Sequence, residues 1–571
     1  MKKPTHSRLF LLPTMAFALS AFFSTAHAKM PHSDLFPSFS ESEESTIFTR
    51  LQDYKNAKGE SLGKLIQTTQ GNQPNLWSHL DSTDDQIEGT STAKAYLSSK
   101  MPAEGKEIIV AVIDSGVDIN HEDLKGKVWT NYAELNGAPG VDDDSNGFVD
   151  DVHGWNFLGA KDGTSVNGTT LEVTREYARL KKKKAAKKLT KTEAVYFAKI
   201  SAQFDSELKD AQDDLRSYQE LMSAIKLLKL LGLKEETLEA VQAIESKDPE
   251  VISAKKLASF VFSNPQIGSS AGLQEIIDDA SVKVKFQYNP NFDSSKIVGD
   301  NPKIMDEQGY GNNDVTGPDA LHGTHVAGII GANRDNGIGV LGQSDSVKIM
   351  SIRAVPNGDE RDKDVANAIL YAVKNGAKVI NMSFGKEYSP QKNYVDYAVS
   401  YAEKHGVILV HAAGNSGKST ETGANNFPNK KILQLKSTAH EATNWIEVGA
   451  SSKLKNVKLP ANFSNYGKTS VDLFAPGTAI MSTVPGSQYR ELQGTSMASP
   501  EVAGVAALLM SRFSDRPATD IISAMMNTTT QYPGLIVNLP GTRGAAQISF
   551  SQLSKTGGIV NTLQALQELA K

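Results

Sequence analysis

The sequence predicts an α/β fold built on a mostly parallel sheet, with a helical arm inserted into it. Three observations predict it. Glu107-Ile-Ile-Val-Ala-Val-Ile113 is a continuous apolar run, as in a strand buried on both faces. From His322 onward, strand-like and helix-like segments alternate, which implies βαβ units. Between them, Leu171 to about Ala280 is rich in Lys, Glu, Ala and Leu at helical spacing, with almost no Gly or Pro before Gly232.

Taken in order, Val347–Val355 reads as a strand and Asp362–Gly376 as a helix ending at its glycine. Lys378–Met382 reads as a strand, Asn393–Gly406 as a helix and Val407–Ala412 as a strand. In such sheets functional groups gather at the carboxyl ends of the strands. The interruption reads as one or two long helices followed by shorter ones, folded back as an antiparallel arm. Its Lys181–Lys184, Lys187, Lys188 and Lys191 form a basic cluster. A solvated helix face is the expected role, with Glu207, Asp210, Asp213 and Asp214 available to pair with it. Attraction to an anionic surface or nucleic acid is the alternative.

Composition narrows the function. The chain has 571 residues, 39% of them apolar and 22% charged, as in ordinary globular proteins rather than collagen-like or wholly disordered ones. It has no cysteine, which excludes disulfides, thiolate nucleophiles and zinc–thiolate or iron–sulfur sites. A net charge of −5 argues against a protein that coats nucleic acid.

Residues 1–28 have the form of a secretory signal peptide. Lys2, Lys3 and Arg8 precede an apolar stretch, and Ala26-His27-Ala28 supplies a small-x-small cleavage pattern. No later segment is apolar for long enough to span a membrane. The expected location is therefore outside the cytoplasm, in a periplasm or the medium. The expected divisions are 1–28 signal peptide, 29–75 N-terminal arm or pro-segment, 76–170 first part of the main domain, 171–286 helical insertion, and 287–571 second part with a C-terminal extension.

Four motifs carry chemistry. Asp114 follows the buried strand directly, in Val112-Ile-Asp114-Ser-Gly116. His322-Gly-Thr-His325-Val-Ala-Gly328 opens a segment of small and apolar residues, so His322 stands at a helix start, facing a cleft. Its His pair lacks the Glu and the four-residue spacing of a hydrolytic zinc helix. Asn415 ends a core strand between glycines, in Ala413-Gly-Asn415-Ser-Gly417. Ser496, in Gly494-Thr-Ser496-Met-Ala-Ser-Pro500, opens a helix of small and apolar residues.

Together these supply what acyl transfer needs. A serine hydroxyl becomes a nucleophile when a base removes its proton, and a histidine can do so near neutral pH. A buried aspartate fixes the imidazole tautomer and stabilises the imidazolium. Asn415 Nδ2 and the Ser496 N–H are candidate donors to the oxyanion.

With these motifs in this order, the chain resembles the subtilases, the subtilisin-like serine peptidases. Asn381-Met-Ser-Phe-Gly385, Phe463-Ser-Asn-Tyr-Gly467 and Phe474-Ala-Pro-Gly477 add to the likeness. The resemblance covers about 76–160 and 287–530. It implies a three-layer subtilisin-like fold, with Asp114 orienting, His322 as general base and acid, Ser496 as nucleophile and Asn415 as oxyanion donor. It also implies that Ser383, Phe384 and Gly385 pair with the substrate backbone. Ala412, Ala413 and Gly414 would wall the primary specificity pocket.

Two features depart from the usual pattern. Asp114 and His322 lie far apart in sequence because the arm intervenes, as in a bacterial subgroup with such an insertion. Lys29–Asn75 does not clearly match an inhibitory propeptide.

A cation site is also expected. Asp142, Asp144, Asn146, the Phe148 carbonyl and Asp150 space oxygens around a turn at Gly147 like a calcium loop. It is not an EF-hand, because His153 stands where the bidentate Glu belongs. Carboxylates so close together repel unless a cation neutralises them. Asp123 matches a family calcium-ligand position, but its partner loop, Asn333-Arg-Asp335-Asn-Gly337, departs in length.

The expectation is thus an exported serine endopeptidase acting on peptides or proteins through an acyl-enzyme, with structural calcium. A ligase or cyclase on the same fold, or a protein whose arm binds an envelope or protein partner, are the alternatives.

Overall fold

A computed structural model describes residues 76–264, 267–423, 425–433 and 440–571. The signal-peptide and N-terminal-arm expectations, 1–28 and 29–75, lie outside the described residues.

Nine strands form the central sheet: β1 (Ile108–Asp114), β2 (Gly154–Asn156), β3 (Val347–Arg353), β4 (Val379–Met382), β5 (Ile408–Ala412), β6 (Trp445–Ser451), β7 (Leu473–Pro476), β8 (Thr530–Gln531) and β9 (Gly558–Ile559). Their order across the sheet is β8-β9-β7-β6-β5-β4-β1-β3-β2. All neighbours run parallel except β8 and β9. The short C-terminal strands thus extend the main sheet instead of forming a separate unit.

Strand residues alternate between two cores, because successive side chains point to opposite faces. Val110, Val112, Val379 and Val410 pack on one face with Val326, Ile330, Val502 and Leu509. Ala111, Ile113, Ile380 and Leu409 pack on the other with Val365, Ile369, Val395 and Val399. The result is a three-layer α/β architecture, as expected.

The arm begins with α1 (Glu172–Ala185) and α2 (Lys191–Leu230), joined by a tight turn. A capping box starts α2: Glu193 N donates to Thr190 Oγ1, and Thr190 N donates to Glu193 Oε2, both at 3.1 Å. At 1.5 Å per residue its 40 residues extend about 60 Å. α3 (Pro249–Ser263) and α4 (Ser270–Val282) fold back on it. Leu221, Ile225 and Leu228 of α2 form a separate core with Ala258, Val261, Leu273 and Ile277. A second cluster ties the arm's root to the main body, with Leu171, Ile200, Phe204 and Tyr288 around Tyr388.

The lysine cluster sits at the α1–α2 turn, but the acidic stretch does not pair with it. Asp213 pairs with Lys209 and Arg216 on its own helix, while Lys183 meets Glu193. A straight helix carries residue 210 about 29 Å away from residue 191, out of reach.

The remaining helices that frame the site are α5 (Leu321–Gly331), α6 (Asp362–Lys374), α7 (Lys392–Lys404) and α8 (Thr495–Arg512). α5 and α8 cover one face of the sheet, α6 and α7 the other. No helix among the described residues is long and apolar enough to cross a membrane.

Candidate active site

The expected residues come together at the carboxyl ends of β1, β4 and β5 and at the N-termini of α5 and α8. Asp114 is the last residue of β1 and is buried. Its Oδ1 accepts the Ser115 N–H at 2.7 Å and lies 2.7 Å from His322 Nδ1. Its Oδ2 is buried without a hydrogen-bond partner among the described residues. His322 reaches it because α5 packs closely on the Asp114 loop: a Cβ on Gly323 would lie 2.1 Å from Gly116 O. Burial lowers the His322 pKa, but the facing Asp114 charge and hydrogen bond outweigh it, and the net shift is upward.

Ser496 is the second residue of α8. Its Oγ donates to Ser383 O at 3.1 Å, and Ser383 Oγ donates to Ser496 O at 2.9 Å. Asn381 steadies this pair: its Nδ2 donates to Ser383 Oγ at 2.9 Å, and its Oδ1 accepts from Ser499 Oγ at 2.7 Å. The register pairs Ile113 with Met382, so Asp114 and Ser383 follow each other's neighbours at adjacent strand ends. Adjacent strands are about 4.8 Å apart. The His322–Asp114 and Ser496–Ser383 pairs therefore stand side by side.

Asn415 follows β5. Its Oδ1 accepts from Thr495 N at 2.8 Å and from Thr495 Oγ1 at 2.9 Å, which turns Nδ2 the other way. Gly494 has φ +154, and a Cβ there would lie 3.5 Å from both Asn415 Nδ2 and Ser496 N. The Asn415 amide and the Ser496 N–H thus lie close together beside Gly494, at the positive end of α8.

Ala412 ends β5, and both Ala412 and Ala413 are buried. Asn426 Nδ2 donates to Ala412 O and Asn465 Nδ2 to Ala413 O, each at 2.8 Å. Gly414 N donates to Thr495 Oγ1 at 3.1 Å. Ser383 and Phe384 are buried and Gly385 is half-exposed.

Sequence reasoning missed the supporting residues Asn381, Asn426, Asn465 and Thr495. Three of them lie inside motifs already noted, but nothing in the motifs says which amide points where. His325 is structural. Its Nε2 lies 3.0 Å from both Ile480 O and Arg490 O, and burial pushes its pKa down to about 3.

The profile of the subtilase family (peptidase S8) matches residues 105–549. The chain belongs to the subtilase family. A thermophilic serine proteinase of Bacillus sp. (strain AK1) is 40% identical over 214 residues, 37% of this chain and 48% of that protein. Thermitase of Thermoactinomyces vulgaris is 39% identical over 214 residues, covering 37% of this subtilase and 68% of thermitase. Subtilisin Savinase of Lederbergia lenta is 37% identical over 263 residues, 46% and 85% of the two chains. The match spans about half the length of the first of these relatives.

The acidic loop of this subtilase is arranged differently from its spacing. Asp142 Oδ1 accepts from Asn146 N and its Oδ2 from Gly147 N, while Asp150 accepts from Gly140 N. Both therefore cap the loop's own backbone. The Phe148 ring anchors the loop against Trp155 and Tyr371, at centroid distances of 5.1 and 4.8 Å. The carboxylates that converge are Glu134, Asp144 and Asp151, with ligand atoms within 4.8 Å of one another. Asn146 Nδ2 donates to Asp144 and Asp151. Glu134 comes from the short helix Tyr132–Leu135, a tertiary approach that loop spacing does not encode.

Asp123 does meet the expected loop. Its Oδ1 accepts from Asn336 Nδ2 and its Oδ2 from Val340 N, both at 2.8 Å. It is not part of the carboxylate group found among the described residues.

Proposed function

We propose that this subtilase is an exported serine endopeptidase that hydrolyses peptide bonds through an acyl-enzyme. The observation that carries the reading is the His322–Asp114 pair at 2.7 Å, on the strand end beside the one where Ser383 meets Ser496, with the Asn415 amide tied to Thr495 at the start of α8. Ser496 Oγ leaves the Ser383 carbonyl and attacks the scissile carbon while His322 Nε2 takes its proton. The carbonyl electrons move to the oxygen, and the oxyanion accepts from Asn415 Nδ2 and Ser496 N. Collapse breaks the C–N bond, and the amine leaves with the proton from His322. Water then attacks the ester as His322 takes a proton. The acid departs and the proton returns to Ser496. Asp114 holds Nδ1–H and offsets the imidazolium charge through both half-reactions.

Casein hydrolysis by wild type and Ser496→Ala tests this. The substitution is expected to lower kcat by roughly 10⁶-fold, the scale of losing a triad serine. It should also abolish labelling by a serine-directed phosphonate. Retained hydrolysis overturns the reading. Export is checked by the N-terminal residue of protein recovered from periplasm or medium, expected at Lys29.

Calcium fits the Glu134–Asp144–Asp151 group. Hard oxygen donors converge, two of the three residues are buried, and among the described residues their oxygens meet only neutral donors, the loop amides, Asn131, Asn146 and the Tyr371 hydroxyl, and no Lys or Arg. A calcium ion there would tie the Tyr132–Leu135 helix to the loop that precedes β2.

A further inference from the structure

β1 lies between β3 and β4 in the sheet. The segments leaving β3 and β4 therefore rise on either side of Asp114 and form two walls. The wall after β4 is open for pairing. The backbone groups of Phe384 and Gly385 have no hydrogen-bond partner among the described residues, and Ser383 O holds only the Ser496 hydroxyl. Such groups demand partners, and an extended peptide supplies them.

One residue further the opening ends. Lys386 exchanges backbone bonds with Phe427 at 3.0 and 2.9 Å. Its side chain is 1% exposed, with Nζ 3.0 Å from Glu172 Oε2, 2.8 Å from Asp362 Oδ1 and 2.8 Å from Glu360 O. Glu172 is the first residue of α1, at the root of the arm. The opposite wall is closed by the same root. Arg175 donates to Asp359 O at 3.1 Å and Glu360 O at 3.2 Å, and Glu172 N donates to Asp359 Oδ2 at 2.7 Å. Asn357 pairs on both its backbone groups with the chain entering the arm, through Asn167 O and Thr169 N.

Charge explains why this junction is fixed. Burial alone would raise the Glu172 pKa, but Arg175 and Lys386 pull it down to about 2. Removing one member of such a buried group leaves another unpaired, which is costly.

Resting on the peptidase reading, we propose that Lys386, paired with Phe427 and held in place by the arm's root, is the end wall of the substrate cleft, limiting backbone pairing on the Ser383–Gly385 side to about three substrate residues. The insertion thereby acts as a specificity element, though its tip is far from the chemistry.

The test uses full-length protein and internally quenched peptides, lengthened one residue at a time on either side of a single cleavage point. On one side, kcat/KM is expected to rise through the third residue and to gain less than fivefold from the fourth. A gain of fivefold or more from the fourth residue on both sides overturns the proposal. In Arg175→Ala, that fourth residue is expected to gain at least fivefold, through KM rather than kcat. A length profile identical to wild type overturns the assignment to the arm. Should that variant not fold, Glu172→Gln is read in the same way, and the wild-type profile alone still decides whether the cleft is closed. Cleavage of no peptide, with Ser496 unlabelled by phosphonate, overturns the peptidase reading and this proposal with it.

Discussion

His322 Nδ1 lies 2.7 Å from Asp114 Oδ1 although 208 positions separate the two residues. The helical arm fills that gap, and its two ends meet where Leu171 N donates to Gln287 O at 3.0 Å. A long insertion is tolerated because loop-closure entropy grows slowly with length and the arm builds its own core.

This pair sets the first prediction. His322 must be neutral to accept a proton, and its pKa is raised above the ordinary 6.5. Activity should therefore rise with pH through an apparent pKa above 6.5. Asp114→Asn should lower that apparent pKa and cost on the order of 10⁴-fold in kcat. A kcat/KM profile from pH 5 to 10 reads both.

Asn415 and Thr495 set the second. Asn415→Ala should lower kcat by about 10²- to 10³-fold with little change in KM, the loss measured for one such donor in a subtilisin. Thr495→Val removes one of the two donors that orient the Asn415 amide. It should lower kcat by a smaller factor, because Thr495 N still holds the amide. Steady-state kinetics on one peptide separates the two.

The third concerns the cation. A chelator should lower the melting temperature of the wild type, and added calcium should restore it. Asp151→Asn should melt at one temperature with or without chelator. Calorimetry with and without calcium checks this, and a wild-type melting temperature that ignores chelator refutes the site.

The fourth concerns Glu501, buried within α8 beside Ser78, with its Oε2 held by Gln343 Nε2. Burial pushes its pKa from 4.5 up to about 8. Between those values the folded chain holds a proton that the unfolded chain has lost, so stability falls as pH rises. Wild type should lose melting temperature from pH 5 to 9, and Glu501→Gln should lose less. Parallel curves would show that Glu501 does not titrate in that range.

Motif identity let the sequence offer Asp114, His322, Asn415 and Ser496 as candidates, and helical spacing let it outline the arm. The calcium loop shows the limit. Asp142, Asp144 and Asp150 share a spacing, yet of the three only Asp144 comes together with Asp151 and Glu134, and Glu134 enters from a helix that precedes the loop. Similarly, the acidic stretch of α2 was expected near the lysine turn, but helix length carries it away.

Apolar runs, periodicity and residue type are local properties, so the sequence by itself determined the parallel sheet, the helical insertion and the kinds of chemical group at the strand ends. Which way the Asn415 amide turns, which acids converge, and that Glu172 and Arg175 seal the junction with Lys386 were decided only by the tertiary structure. Those are distances and directions between chain segments far apart in sequence, and they are set by packing rather than by composition.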